Sequence, residues 1–242
     1  MSNKTVNLKN INAIVVKDEN INMYFSTAEN KADFRRTSEN FRENINTLKN
    51  ILELKNFYYL NQTHSDIIIE ATDKNINSNL GEGDALITED KNIAISVFTA
   101  DCVPIVMYDK NLNLLAAIHS GWKGTFNEIS LKALNKFIEK GSKVENIKVY
   151  IGPHICESCY EVSEELIEKF KEKEVYKNAN ISNGRYLSLE KCIKESLNKA
   201  GVPSKNIKSL NLCTYCEKNI KLHSFRKDRD NSGRLLSFIF IK

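Results

Sequence analysis

Between Phe57 and Ile118 the sequence breaks into six short apolar runs separated by polar or glycine-containing turns, at 57–61, 67–70, 85–88, 93–98, 104–108 and 114–118. Runs of this length bounded by turn residues read as β-strands. The run at 93–98 is rich in β-branched and aromatic residues, which suit a pleated, buried surface. Two shorter runs, 13–16 and 21–25, add strands before them, and 148–151, 209–212 and 235–241 add strands after them. A chain with this pattern must build sheets first and place its helices around them.

Helical spacing occupies the rest. Residues 39–54 put Phe41, Ile45, Leu48, Ile51 and Leu52 on one face. After residue 118 the period changes again. Thr125 caps a predicted helix that runs to about Lys140 and stops at Gly141, with Phe126, Ile129, Ala133, Leu134, Phe137 and Ile138 as its buried stripe. Residues 161–173 form a helix with Ser163 as its cap, and 189–200 form another that Gly201 stops. Strands and helices do not alternate strictly. The expected fold is therefore mixed α/β, with mixed sheets and helices packed outside them. No Pro/Gly/Ser-rich linker and no internal repeat divides the 242 residues, so one domain over 1–242 is expected.

Composition removes several functions. Lys and Arg number 35 against 31 Asp and Glu, and a net charge of +4 is too weak to argue for nucleic acid. The N-terminal run MSNKTVNLKNINAIVV lacks a signal-peptide apolar core, and the most apolar segment, 93–108, is broken by Thr99, Asp101 and Pro104. A cytoplasmic protein away from membranes is expected, and a monomer. Six Cys in that setting serve metals or catalysis more often than disulfides. The four His (64, 119, 154 and 223) are too few for multicopper redox chemistry.

Three segments end a predicted strand and then present small and polar residues: NQTHSD (61–66), FTADCVPI (98–105) and IHSGWKGT (118–125). Each offers one metal-competent group, His64, Cys102 and His119. Two imidazoles and one thiolate leave the fourth position of a zinc ion open, which is the catalytic pattern. The same three residues would equally serve a Cys–His nucleophile and base, or be a buried thiol with two backbone-bonded histidines. The spacing alone does not choose.

Cys156-Glu-Ser-Cys159 and Cys213-Thr-Tyr-Cys216 resemble the two halves of a zinc ribbon, but 54 residues separate Cys159 from Cys213, far beyond compact ribbon spacing. A long-range four-cysteine site stays open, and buried or loop thiols without metal are the first expectation there. Lys123 lies in a Gly-containing helix entry, Gly121 to Gly124, that could receive phosphate, although no P-loop motif is present. Arg226, in the run HSFRKDRD, could clamp an anion.

Together the blocks QTHS, GDALIT, TADCVPI, AAIHSGWKGT, IGPHICESCYEV and CTYC…HSFRKDRDNSGRLLSF occur in one order from about residue 58 to 240. In this the chain resembles the bacterial peptidoglycan editing factor family, also called the YfiH or laccase-domain family and formerly called polyphenol oxidases. The resemblance implies an α/β/β/α sandwich and a zinc site made by His64, Cys102 and His119, with copper the less favoured metal. It implies phosphorolysis of adenosine, inosine and methylthioadenosine, together with adenosine deamination. It also implies a link to peptidoglycan stem-peptide editing, and so a cell-wall precursor as a further partner.

Under that reading Lys123 and Arg226 would position phosphate, and Cys102, Asp84 and Asp101 would be catalytic. Each of the two Asp would either help protonate the leaving base or orient a metal histidine. The usual nucleobase-deaminase signature is missing, so deamination would use another arrangement. The chain departs from the family near its start. Where members carry FSTRxGGVS, this sequence has Phe25-Ser26-Thr27-Ala28-Glu29-Asn30, and the usual Asn-Arg is Asn44-Ile45. Arg35, Arg36 and Arg42 stand nearby as substitutes, with no spacing that selects one. A Cys–His hydrolase of cell-wall precursors and a non-catalytic zinc-binding protein are the rival classes.

Overall fold

Strand runs that are apolar on both faces need cover on both faces, and the chain supplies it by stacking two sheets between two helical layers. The computed structural model describes residues 4–75 and 77–242. The first three residues of the N-terminal run, read above for a leader, lie outside the described residues. In chain order the elements are β1 (Lys4–Leu8), β2 (Ile11–Asp18), β3 (Ile21–Ser26), α1 (Phe41–Ile51), β4 (Asn56–Asn61), β5 (Ile68–Glu70), β6 (Asn79–Glu82), β7 (Ala85–Thr88), β8 (Ile93–Thr99), β9 (Val103–Asp109) and β10 (Leu114–Ser120). They continue with α2 (Trp122–Phe126), α3 (Ile129–Glu139), β11 (Lys148–Ile151), α4 (Glu164–Glu172), β12 (Ser182–Asn183), β13 (Tyr186–Leu187), α5 (Leu189–Lys199), β14 (Ile207–Ser209), α6 (Phe225–Asp228) and β15 (Leu235–Ile241).

The first sheet runs β1-β2-β3-β15-β8-β4-β6 and the second β14-β11-β9-β10-β7-β5. Both are mixed. The pairs β4–β6, β4–β8, β11–β14 and β5–β7 are parallel, and the other pairs in these two sheets are antiparallel. Side chains alternate as the pleat requires. On β15, Ile239 and Ile241 point between the sheets, while Leu236, Phe238 and Phe240 join Phe41, Ile45 and Leu48 of α1 on the outer face. On β9, Val106 and Tyr108 point between the sheets, and Ile105 and Met107 meet the layer of α3, α4 and α5. This is the α/β/β/α order, with the mixed sheets expected from sequence. Among the described residues no helix is long and apolar enough to cross a membrane.

Some local expectations are corrected. The helix predicted from Thr125 to Lys140 is two helices, because Glu128 takes a left-handed conformation at φ 58° between α2 and α3. Lys173 fills the break, donating its ammonium to the Phe126 carbonyl and pairing with Glu128 at 3.1 Å. Gly121, not Thr125, is the residue before the first turn, and the Thr125 hydroxyl instead meets Ser120 Oγ at 2.8 Å. Ile138 is exposed and leaves the stripe. The strand placed at 209–212 is β14, two residues earlier. Strands β1 and β6 were not foreseen, since their residues are mostly polar and partly exposed. Ser163 does cap α4, accepting from the Leu166 amide, and Gly201 follows α5 in a left-handed conformation.

Gly152, just after β11, shows how closely the sheets approach. A Cβ there would lie 2.4 Å from Phe25 Cδ1 of β3 and 2.9 Å from Pro104 Cγ. Both neighbours are ring atoms in a packed core that has no room to retreat. Gly152→Ala is expected to destabilise the fold by about 1–3 kcal/mol. Urea unfolding checks this: the midpoint should fall while the m-value stays unchanged.

Candidate active site

At one end of the sandwich the chain crosses between sheets three times. The β4–β5 connection, the residues Gly83 and Asp84 between β6 and β7, and the β8–β9 connection all run from the first sheet to the second. β10 ends at the same place, where Ser120 pairs with Val103. The crossings therefore bring His64, Asp84, Cys102 and His119 together although they are distant in sequence.

Each crossing is held by specific bonds. The Gln62 side chain acts like one more rung of the ladder beside β8, donating to the Phe98 carbonyl and accepting from the Phe98 amide, both at 2.7 Å. His64 follows at φ 58°, a left-handed turn that redirects the loop. The buried carboxylate of Asp84 collects that loop. It accepts from the amides of Thr63 (3.2 Å), His64 (3.1 Å) and Ser65 (2.6 Å), and from the Ser65 hydroxyl (2.6 Å). His119 Nδ1 meets Asp84 Oδ1 at 2.7 Å. That contact directs the ring's other nitrogen toward Cys102 and His64.

The donor atoms of His64, Cys102 and His119 all lie within 4.8 Å of one another. Cys102 Sγ stands 3.8 Å from His64 Nε2, and the two imidazole rings meet edge to face at 4.8 Å. His119 is buried and His64 exposed, so the cluster has a protein side and an open side. Gly121 belongs to the cradle. A Cβ there would approach Cys102 Sγ to 2.9 Å and His64 Cδ2 to 3.0 Å. Two imidazoles, one thiol and an open face form a donor set fit to hold a metal ion.

The charges are coupled. Burial pushes the Cys102 thiol up, but the adjacent His119 charge and hydrogen bonds with both imidazoles outweigh it and bring the thiol down to about 6. Burial pushes His119 down, yet Cys102 and Asp84 raise it to about 9. Burial also pushes Asp84 up, and the hydrogen bonds from His119 and Ser65 override it, leaving the carboxyl at about 2. Asp101 sits beside Cys102 at φ 87°, its Oδ1 taken by the Thr214 hydroxyl (2.6 Å) and its Oδ2 by the Arg226 amide (2.5 Å). Both carboxylates are thus engaged by donors of the protein itself.

The cluster opens into a cavity of about 730 Å³, within the range of small-molecule sites. Arg35, Arg36, Arg226, Arg229 and Arg234 line it, together with the aromatic rings of Phe34, Phe98, Tyr160 and Phe225. Arg35 pairs with Asp33 at 2.6 Å, and the Arg226 guanidinium donates to the Glu161 carbonyl at 3.0 and 3.1 Å. Arg36 and Arg229 form no ion pair among the described residues. Of the three arginines named as substitutes near the divergent segment, Arg35 and Arg36 reach the cavity and Arg42 does not. Lys123 does not reach it either. Helix α2 leaves its side chain exposed, with the ammonium 5.7 Å from the Trp122 ring centre, outside the lining of this cavity. The remaining imidazoles serve the fold. His154 meets the Gly152 carbonyl at 2.8 Å and Glu190 at 3.2 Å, and His223 meets the Ala32 carbonyl at 2.8 Å. Sequence singles out Arg35, Arg36 and Arg226 separately, but not their meeting with Arg229 and Arg234, because two distant segments, 34–37 and 225–234, supply the set.

The fold and the site define an α/β/β/α sandwich protein with a His–Cys–His cluster at the floor of an arginine-lined cavity. The chain belongs to the family described as multi-copper polyphenol oxidoreductase laccase, whose model matches residues 19–242. It is 45% identical over 228 residues to a purine nucleoside phosphorylase of Clostridium acetobutylicum, covering 93% of this chain and 94% of that one. It is 36% identical over 164 residues to adenosine deaminase RL5 of an unknown prokaryotic organism, covering 66% of this chain and 62% of that one. Among solved structures it is similar to YfiH of Bacillus licheniformis, with a TM-score of 0.83, 27% identity and coverage of 95% of this chain and 96% of that one.

Asp84→Asn keeps the side-chain volume and removes the charge that meets three amides and an imidazole. On the metal-free chain it is expected to cost about 3–5 kcal/mol at pH 7. The sign follows from the lowered carboxyl: its contribution is full above the ordinary value of 3.8 and fades as the pH falls toward about 2. The stability difference between wild type and variant, measured by denaturant titration along that pH range, should shrink accordingly.

Proposed function

We propose that the chain is a zinc-dependent purine nucleoside phosphorylase, acting on adenosine, inosine and methylthioadenosine. The observation that carries this reading is the His64–Cys102–His119 cluster at the floor of a cavity where five arginines converge. The purine nucleoside phosphorylase of Clostridium acetobutylicum, similar over nearly the whole chain, supports it. A copper oxidase is disfavoured, because two of the four imidazoles are bonded elsewhere in the fold.

In this reading His64, Cys102 and His119 hold the metal. Zinc bound there would supply a Lewis acid. Asp84 is a positioning residue: its carboxylate fixes the His119 ring and the backbone on both sides of His64. Asp101 shapes the turn that presents Cys102, through Thr214 and the Arg226 amide. The oxygens of both carboxylates accept hydrogen bonds from the protein itself, and both residues are assigned orientation in this reading.

Tyr160 and Phe225, the more exposed of the aromatic rings that line the cavity, offer apolar surface for a purine. Arg36 and Arg229, without a carboxylate partner, hold phosphate by charge-assisted hydrogen bonds. Held there, a hydrogen phosphate oxygen forms a bond to ribose C1′ while the bond from C1′ to the purine nitrogen breaks, and the proton that hydrogen phosphate brings ends on that nitrogen by way of solvent, giving the sugar phosphate and free base. Positive charge builds on the ribose in that step, and the fixed phosphate charge meets it. Adenosine deamination is the second reading, favoured by the similarity to adenosine deaminase RL5.

Base release from adenosine on metal-quantified protein tests the proposal. Adenine release that requires phosphate is the expected result. Inosine formation indifferent to phosphate would replace phosphorolysis by deamination. Loss of either phosphate-binding arginine removes about 1.5–3 kcal/mol of charged hydrogen bonding, or roughly tenfold and more in binding. Arg36→Ala and Arg229→Ala should therefore raise KM for phosphate by that factor and leave KM for adenosine near its wild-type value. Cys102→Ala should abolish turnover.

A further inference from the structure

Two pairs of cysteines that the sequence holds 54 residues apart meet in space. The sulfurs of Cys156, Cys159, Cys213 and Cys216 all lie within 4.8 Å of one another. Of the two readings of these thiols, the proximity fits the long-range four-cysteine site. The chain supplies the closeness by tertiary pairing. An isolated parallel bridge joins His154 to Cys213, with the His154 amide on the Leu212 carbonyl (3.1 Å) and the Thr214 amide on the His154 carbonyl (3.0 Å). The two C-x-x-C loops therefore leave the bridge side by side.

We propose that these four cysteines form a second metal centre, a structural tetrathiolate zinc site distinct from the His–Cys–His cluster. Tetrahedral thiolates at about 2.3 Å from zinc stand roughly 3.8 Å apart. The observed sulfurs need to close by no more than about one ångström to reach that spacing. Each pair is already wound for it. Cys159 N donates to Cys156 O and Glu217 N donates to Cys213 O, both at 3.1 Å, so each C-x-x-C segment curls around its two sulfurs. The Cys156 amide points at Cys213 Sγ at 3.3 Å, and Ser158 Oγ stands 3.2 Å from Cys156 Sγ. Donors aimed at sulfur favour the thiolate form that binds metal. All four are free cysteines, and no open position is needed where four ligands close the shell.

The fold has a use for a staple at this place. Residues 152–163 and 210–224 contain no α-helix and no ladder strand; they are held by isolated bridges and short turns. Yet they support the cavity, which Tyr160 lines and whose Asp101 is held from this region. Cys159 is followed by Tyr160, which lies 5.3 Å beneath the Arg226 guanidinium, and Cys213 is followed by Thr214, which holds Asp101. The site is structural: it fixes Tyr160 and Thr214 and does not touch substrate.

The test is metal counting on full-length chains purified with zinc under reducing conditions, with circular dichroism to confirm folding. Cys102→Ala should retain one tightly held zinc, and Cys216→Ser, altered at the most exposed ligand, should hold one fewer than wild type. Cobalt(II) titrated into Cys102→Ala, with the four cysteines untouched, should give tetrahedral d–d bands and strong thiolate charge transfer. Retention of the same zinc content by wild type and Cys216→Ser would overturn the site. So would a folded Cys102→Ala chain that takes up neither zinc nor cobalt. Equal zinc in wild type and Cys102→Ala, with loss in Cys216→Ser, would support this centre while overturning the metal assignment at Cys102.

Discussion

The charge of Asp84 is the interaction on which the site depends. One buried carboxylate accepts from three successive backbone amides, a hydroxyl and an imidazole. Its own carbonyl accepts from the His119 amide at 2.7 Å, so the two residues are joined by backbone as well as side chain. A buried anion is expensive in isolation, and here every lone pair that matters is met. The result is that two strand ends from different sheets, carrying His64 and His119, are fixed to one point. The thiol between them experiences that charge arrangement through His119.

Charge is distributed in the same local manner across the cavity. The whole chain carries only +4, a value that says nothing about anion binding. The five arginines that line the cavity lie within a single concave surface, where low-dielectric walls concentrate their field. Three of them spend part of their hydrogen-bonding capacity on the fold, through Asp33, the Glu161 carbonyl, and the carbonyls of Ser232 and Gly233. This division leaves a rigid frame with Arg36 and Arg229 as its less committed members.

What the sequence discloses follows physical rules. Strands buried on both faces, such as β8, β9, β10 and β15, appear as predominantly apolar runs and are readable. Caps and stops are readable where one residue does the work, as with Ser163 and Gly201. His64, Cys102 and His119 stood out because each follows or ends a strand beside small residues. The edge strand β6, with the sequence Asn-Leu-Gly-Glu, has no apolar pattern to announce it. The break at Glu128 depends on Lys173, a contact across 45 residues. The two C-x-x-C motifs and three of the arginines are visible one by one in the sequence, but their meeting is a product of tertiary pairing that spacing in one dimension does not give.

The three crossings between sheets have a consequence for motion. A loop that only decorates a sheet can open while the sheet stays paired, but these connections are also the hinges of the sandwich. Displacing Gln62, Asp84 or Cys102 pulls on strands of both layers at once. The amides held by Asp84 should therefore exchange with solvent only when the two sheets part, on the timescale of global unfolding and not of loop breathing. The active end of the molecule is, in this sense, also its slowest part to open.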